Sequence, residues 1–175
     1  MEVFDVIRTV LAVRSYRDTP LPPEVIDRIV QAGRLTGSAK NSQPWHFVVV
    51  QQRDTLRRLG ELASTGRFLG QAPLAIAVAV DKTRFAASDA SRAIQSMILA
   101  AWADGVGSNW AGFMGLEPVK ELLGIPADMD LLAVMAFGYP DQPAGKGRKK
   151  RKPLGEVASS ERFGTPYKLQ GDGDE

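Results

Sequence analysis

Apolar residues recur at helical spacing from the start of the chain, at Val3, Phe4, Val6, Ile7, Val10 and Leu11, which predicts an amphipathic helix ending near Val13. The breaker-rich stretch from Asp18 to Pro23 follows. A second helix is expected from Glu24 to Leu35, with Val25, Ile26, Ile29 and Val30 on one face and Pro23 suited to its first turn. The polar segment Thr36 to Pro44 leads into Trp45–Val50, an aromatic and β-branched run of strand length. A short helix over Asp54 to Ala63 precedes Pro73–Val80, an apolar run that reads as a strand buried on both faces. The longest helix is expected from Ser88 to Asp104, with Ser88 as its cap and Ala90, Ala93, Ile94, Met97, Ile98 and Ala101 toward a core. Gly105 and Gly107 end it. An extended segment over Ser108 to Phe113, a helix from Glu117 to Leu123 and an apolar strand over Leu131 to Phe137 complete the pattern. Strands interleaved with helices, without an internal repeat or a second core, give an α/β or α+β sheet domain. One domain is expected over 1–164, with a polar, flexible tail over 165–175.

Composition narrows the chemistry more than the fold. The 175 residues include no cysteine and one histidine, His46. Disulfides, thiolate nucleophiles and iron–sulfur clusters are thereby excluded, as is a zinc site built on several histidines of one chain, and no metal site is expected. A catalytic histidine needs an orienting carboxylate and a nucleophile, and His46 has neither nearby in sequence, so its expected role is structural. Enzymatic chemistry would then be borrowed from a cofactor. The start of the chain lacks a signal-peptide layout and no uncharged apolar run spans a bilayer, so a cytoplasmic protein without membrane partners is expected.

Charge is unevenly placed. The net charge is +2, yet Lys146, Arg148, Lys149, Lys150, Arg151 and Lys152 carry +6, which leaves −4 elsewhere. Such a run can be solvated, or it can contact nucleic acid or a small phosphate ligand. It contains no aromatic residue to stack a base, and the rest of the chain is net acidic, so nucleic acid is not the expected partner.

Arg14, Ser15 and Arg17 follow a helix end together, where two guanidinium groups and a hydroxyl could converge on an anion; the alternative is surface arginines that favour the helix dipole. Asn41, Ser42 and Gln43 place amide and hydroxyl groups just before a strand. Amides suit a heterocycle edge of alternating carbonyl and N–H groups, or else form an Asx-type turn. Asn109-Trp110-Ala111-Gly112 joins an aromatic plane to a glycine that permits close backbone approach. Asp89 and Glu117 read as carboxylates at helix starts. No glycine-rich nucleotide loop follows any predicted strand.

Arg14-Ser15-Tyr16-Arg17, the run Ser38-Ala39-Lys40-Asn41-Ser42-Gln43-Pro44-Trp45-His46-Phe47, the glycine-ended helix with Asn109-Trp110-Ala111-Gly112, and Arg151-Lys152-Pro153-Leu154-Gly155-Glu156-Val157 together resemble the FMN-dependent nitroreductase family. The resemblance implies an α+β fold, a central mixed sheet packed by helices, and an intertwined homodimer with FMN sites between subunits. It places Arg14, Ser15 and Arg17 at the FMN phosphate and flavin edge, with Arg151 and Lys149 completing the phosphate site. Ser38, Asn41 and Gln43 would reach the flavin from the partner chain. The backbone of Ala111 and Gly112 would lie near flavin N5, with Trp110 as a wall. The implied reaction is a ping-pong hydride transfer from NAD(P)H through flavin N5 to a nitroaromatic, quinone or related unsaturated acceptor, with no catalytic side chain. Val13 stands where many relatives carry a further arginine. The alternatives are a flavin–oxygen or dehydrogenase branch of the same fold, and a non-catalytic flavin- or nucleic-acid-binding protein that uses residues 146–152.

Overall fold

Two continuous apolar runs, Leu74–Asp81 (β2) and Met129–Gly138 (β4), form the centre of a four-stranded sheet with Trp45–Val50 (β1) and Gly107–Gly112 (β3) at its edges, in the order β1-β2-β4-β3. The structure, a computed structural model, describes residues 1–112, 115–142 and 149–167. All three ladders are antiparallel, and the parallel component of the expected mixed sheet is limited, among the described residues, to the isolated bridge between Ala12 and Ser108. A bulge between Val78 and Ala79 shifts the β2–β4 register.

The helices are Val3–Thr9 (α1), Pro23–Arg34 (α2), Arg53–Leu62 (α3), Ala86–Ala103 (α4), Glu117–Leu122 (α5) and Leu154–Val157 (α6), with short 3-10 turns at Ala39–Asn41 and Arg67–Gln71. Strand residues alternate between two helical layers, as the two-residue period of a pleated strand requires. Ala75, Ala77, Val134 and Ala136 pack with Leu56, Leu59, Leu69 and Val119 on one face. On the other, Leu74, Ile76, Val78, Met135 and Phe137 pack with Ile26, Ile29, Ile94 and Met97. Leu74 through Val80 are all buried, which accounts for the unbroken apolar run.

Two helix boundaries differ from the expected ones by two residues or more, for physical reasons. The first helix stops at Thr9, not near Val13, because the following chain is captured by the sheet: Val13 N–H donates to Ser108 O at 2.9 Å and Arg17 N–H to Tyr139 O at 2.9 Å. Of its apolar residues, Val6 is buried, whereas Val3, Phe4 and Ile7 are exposed. The longest helix begins at Ala86, and Ser88 does not cap it: Phe85 occupies the cap position with no side-chain bond, and Ala86 N–H closes a turn onto Thr83 O at 3.2 Å. Phe113, expected in the extended segment, and residues 168–175 of the expected tail lie outside the described residues.

The chain divides into two compact units, 1–145 and 146–175. The second contains α6, a bridge between Ser159 and Pro166, and a turn in which Ser160 N–H donates to Thr165 O at 2.8 Å. Its Leu154, Val157 and Phe163 are exposed. No described helix is long and apolar enough to cross a membrane.

Candidate functional site

The segment from Ala12 to Arg17 is sheet-like without being a strand of the main sheet. Bridges at Ala12–Ser108 and Tyr16–Pro140 fix it between the start of β3 and the chain that follows β4, with Val13 and Tyr16 buried and Arg14, Ser15 and Arg17 exposed. Tyr16 donates its hydroxyl to Val13 O at 2.5 Å. Burial pushes its phenol well above the usual tyrosine range, against a smaller opposing pull from Arg14. Val13 belongs to the core cluster under β3, a place for an apolar side chain and not for a cation.

Arg14 and Ser15 line a cleft of about 410 Å³ with Leu11, Pro140, Asp141 and Gln142, a size in the range of ligand pockets. Ser15 Oγ lies 3.5 Å from Asp141 Oδ2, at the outer limit of a hydrogen bond, and Asp141 N–H donates to Ser15 O at 3.1 Å. Among the described residues, Arg14 forms no salt bridge. Arg17 donates Nε to Pro140 O at 3.0 Å and lines an adjoining, more apolar cleft with Thr9, Trp102 and Tyr139.

Ser38, Asn41 and Gln43 occupy one tight loop. Lys40, Asn41 and Gln43 all have positive φ, at 53°, 56° and 49°, a conformation that non-glycine residues adopt at a cost and that clusters at functional sites. Ser38 Oγ accepts the Gln43 N–H at 2.9 Å, and Gln43 Nε2 donates to Asn41 O at 3.3 Å. The two amide side chains are exposed. His46 is also exposed, beside the stacked pair Trp45 and Phe47.

Trp110, Ala111 and Gly112 end β3. Because Ser108 O accepts from Val13, away from β4, the two-residue period turns the main-chain groups of Gly112 the same way, onto the outer edge of the sheet. A side chain at position 112 would collide with the Trp110 indole and approach Leu132 O to 2.9 Å, so glycine here lets the tryptophan lie across the strand end.

These groups form two sets within one chain. The loop 38–43 and Gly112 lie toward one end of the sheet but at its opposite edges, next to strands that are three spacings or roughly 14 Å apart. Arg14 and Ser15 join the β3 set. Lys149 and Arg151 belong to the second unit, where desolvation and then the Arg151 charge lower the Lys149 pKa; Lys146 and Arg148 lie outside the described residues. Asp89 stands in the first turn of α4, as expected of a helix-start carboxylate, and is in addition fully buried and accepts the Ala39 N–H of the loop 38–43. The signal available in sequence was its place on the predicted inner face of α4, one residue before Ala90. Among the described residues no cluster of acidic or histidine side chains could hold a metal.

A sequence model described as the nitroreductase family matches residues 8–67 and 63–139. A protein of Methanothermobacter thermautotrophicus, provisionally named an NADH dehydrogenase/NAD(P)H nitroreductase, is 34% identical over 83% of this chain and 81% of its own length. The crystal structure of a protein with the same provisional name from Parabacteroides distasonis superposes with a TM-score of 0.84 at 28% identity, covering 92% of this chain and 98% of the other. An FMN-dependent nitroreductase of Clostridium difficile R20291 superposes with a TM-score of 0.76 at 28% identity, over 79% of this chain and 88% of its own.

Proposed function

The chain belongs to the nitroreductase family, a family of oxidoreductases, and on that premise we propose that it holds FMN and uses NAD(P)H to reduce a small unsaturated acceptor such as a nitroaromatic or a quinone. The observation that carries this reading is the outer edge of β3. A cation and a hydroxyl, Arg14 and Ser15, share a cleft with Pro140 and Asp141 next to the start of that edge, and a side-chain-free residue, Gly112, turns its main chain outward at the strand's other end. The residues fit a ligand that is anionic at one end and flat and hydrogen-bonding at the other.

Bound FMN supplies the two-electron chemistry, which explains why the chain needs no nucleophile. The side chains bind and orient. Arg14 and Ser15 would take the phosphate, with Arg17 near the flavin edge. The main chain of Gly112, which follows Ala111, would meet the flavin, with Trp110 as a wall. Ser38, Asn41 and Gln43 offer donors and acceptors to the heterocycle, and donors placed there favour the negative charge of a reduced ring. Because the loop and the β3 edge lie apart in one chain, a complete site takes the loop from a second copy. The exposed Val3, Phe4 and Ile7 of α1 give that copy an apolar surface to cover. Donor and acceptor use the same open face in turn, in ping-pong order.

The test is the visible absorption spectrum of the purified protein, recorded without oxygen before and after NADH and then NADPH. Flavin bands that bleach with either nucleotide are the expected result. A protein that carries no flavin and takes up none from added FMN would overturn the reading.

A further inference from the structure

A carboxylate enclosed in a protein core is costly unless it is paired and hydrogen-bonded, and a well-packed apolar residue often serves stability better. Asp89 is such a group. It lies in the first turn of α4 with no exposed surface. One oxygen, Oδ1, pairs with Arg92 three residues on; the other, Oδ2, accepts the main-chain N–H of Ala39 at 3.1 Å. Arg92 is half exposed, so the carboxylate is held between a hydrated cation on its own helix and the backbone of a distant loop.

That loop needs an external tie. Three of its residues, Lys40, Asn41 and Gln43, have left-handed backbone angles that a free chain rarely keeps. The bonds Asn41 N–H to Ser38 O at 3.0 Å, Ser42 N–H to Ala39 O at 3.1 Å and Gln43 N–H to Ser38 Oγ at 2.9 Å close the loop on itself. None of them sets its position on the body of the protein. The Ala39–Asp89 bond does, at the first residue of the 3-10 turn, and a charge-assisted bond is the stronger kind.

We propose that Asp89 is a positioning residue for the flavin-facing loop: through Ala39 it fixes the strained Ser38–Gln43 backbone in the geometry that presents Ser38, Asn41 and Gln43 to the ring. The positioning role rests on the functional reading given above, whereas the anchoring itself does not. Asp89 acts through the loop and touches neither cofactor nor substrate.

Lys40 provides an internal reporter, since it is exposed within the loop and trypsin cleaves after lysine. Asp89→Ala and Asp89→Asn are prepared in the full chain, with Arg92→Ala as a third variant should the first two fail to fold, and Ile94→Val as a core control on the same helix. Cleavage of the Lys40–Asn41 bond is followed by mass spectrometry on flavin-free protein, and affinities are measured for FMN and for riboflavin. Loss of one charge-assisted bond is expected to speed that cleavage about tenfold or more and to weaken FMN and riboflavin alike by a similar factor. Ile94→Val should leave both readouts near wild type. Unchanged Lys40 cleavage in a folded Asp89 variant overturns the anchoring. Faster cleavage with unchanged flavin affinity overturns the positioning role. A wild-type chain that takes up neither flavin overturns the functional reading and the positioning role together, while the cleavage rates still decide the anchoring.

Discussion

Arg14 and Tyr16 show how adjacent residues on one extended segment take opposite fates. Arg14 faces the cleft shared with Ser15, and Arg14→Ala is expected to weaken FMN by about 1.5–3 kcal/mol, as for other bonds to charged groups. Riboflavin, which lacks the phosphate, should lose much less; equal losses for the two ligands would place Arg14 away from the phosphate. Tyr16 faces inward, and burial raises its pKa above the value of about 10 in the unfolded chain. The folded state therefore keeps a proton that the unfolded state releases, so this group's contribution is complete below about pH 10 and is lost as pH rises above it. Tyr16→Phe should be less stable at pH 8 by about 1 kcal/mol through loss of the bond to Val13 O. It should also lose less stability than the wild type between pH 9 and 11, measured by urea unfolding. Parallel losses would show that Tyr16 does not carry the alkaline sensitivity. At this scale the sequence was partly legible. Arg14, Ser15 and Arg17 could be singled out by type and spacing, but only the two bridges show that Val13 is core and that Arg17 lines an adjoining cleft. For Asp89 the helix-start position is legible in the sequence, but its bond to Ala39 is not, because that partner is 50 residues away.

Elements were legible where their period was set by burial. The β2 run is apolar throughout because both faces are covered, and α2 shows its stripe because one face meets α4 through Ile26 and Ile29. The boundaries of α1 and α4 were less so, since main-chain capture by the sheet and a turn onto Thr83 leave no side-chain signature. Contact between α3 and the 3-10 turn at Arg67–Gln71 is of the same hidden kind. A Cβ on Gly60 would lie 2.7 Å from Gly70 N and 3.2 Å from Arg67 O, so backbone meets backbone there. Gly60→Ala is expected to destabilise by about 1–2 kcal/mol, the overlap outweighing the roughly 1 kcal/mol by which alanine exceeds glycine in a helix. Chemical denaturation checks this, and a stabilised variant would contradict so close a packing.

At the scale of the whole molecule, the sequence revealed the parts of the candidate site but not their separation. Strand order cannot be read from periodicity, and it is the order β1-β2-β4-β3 that sends the amide loop and the Gly112 edge to opposite sides of the sheet. That separation makes a shared site between two copies the central claim, and it can be tested by complementation. Arg14→Ala and Gln43→Ala chains carrying different affinity tags are co-expressed, mixed dimers are isolated, and tightly bound FMN is counted by titration. If each site draws on both chains, a mixed dimer holds one site with both defects and one with neither, so one FMN per dimer binds with wild-type affinity. If each chain builds its own site, or if no dimer forms, no wild-type site survives, and every FMN in the mixed preparation binds as weakly as in one parent or the other.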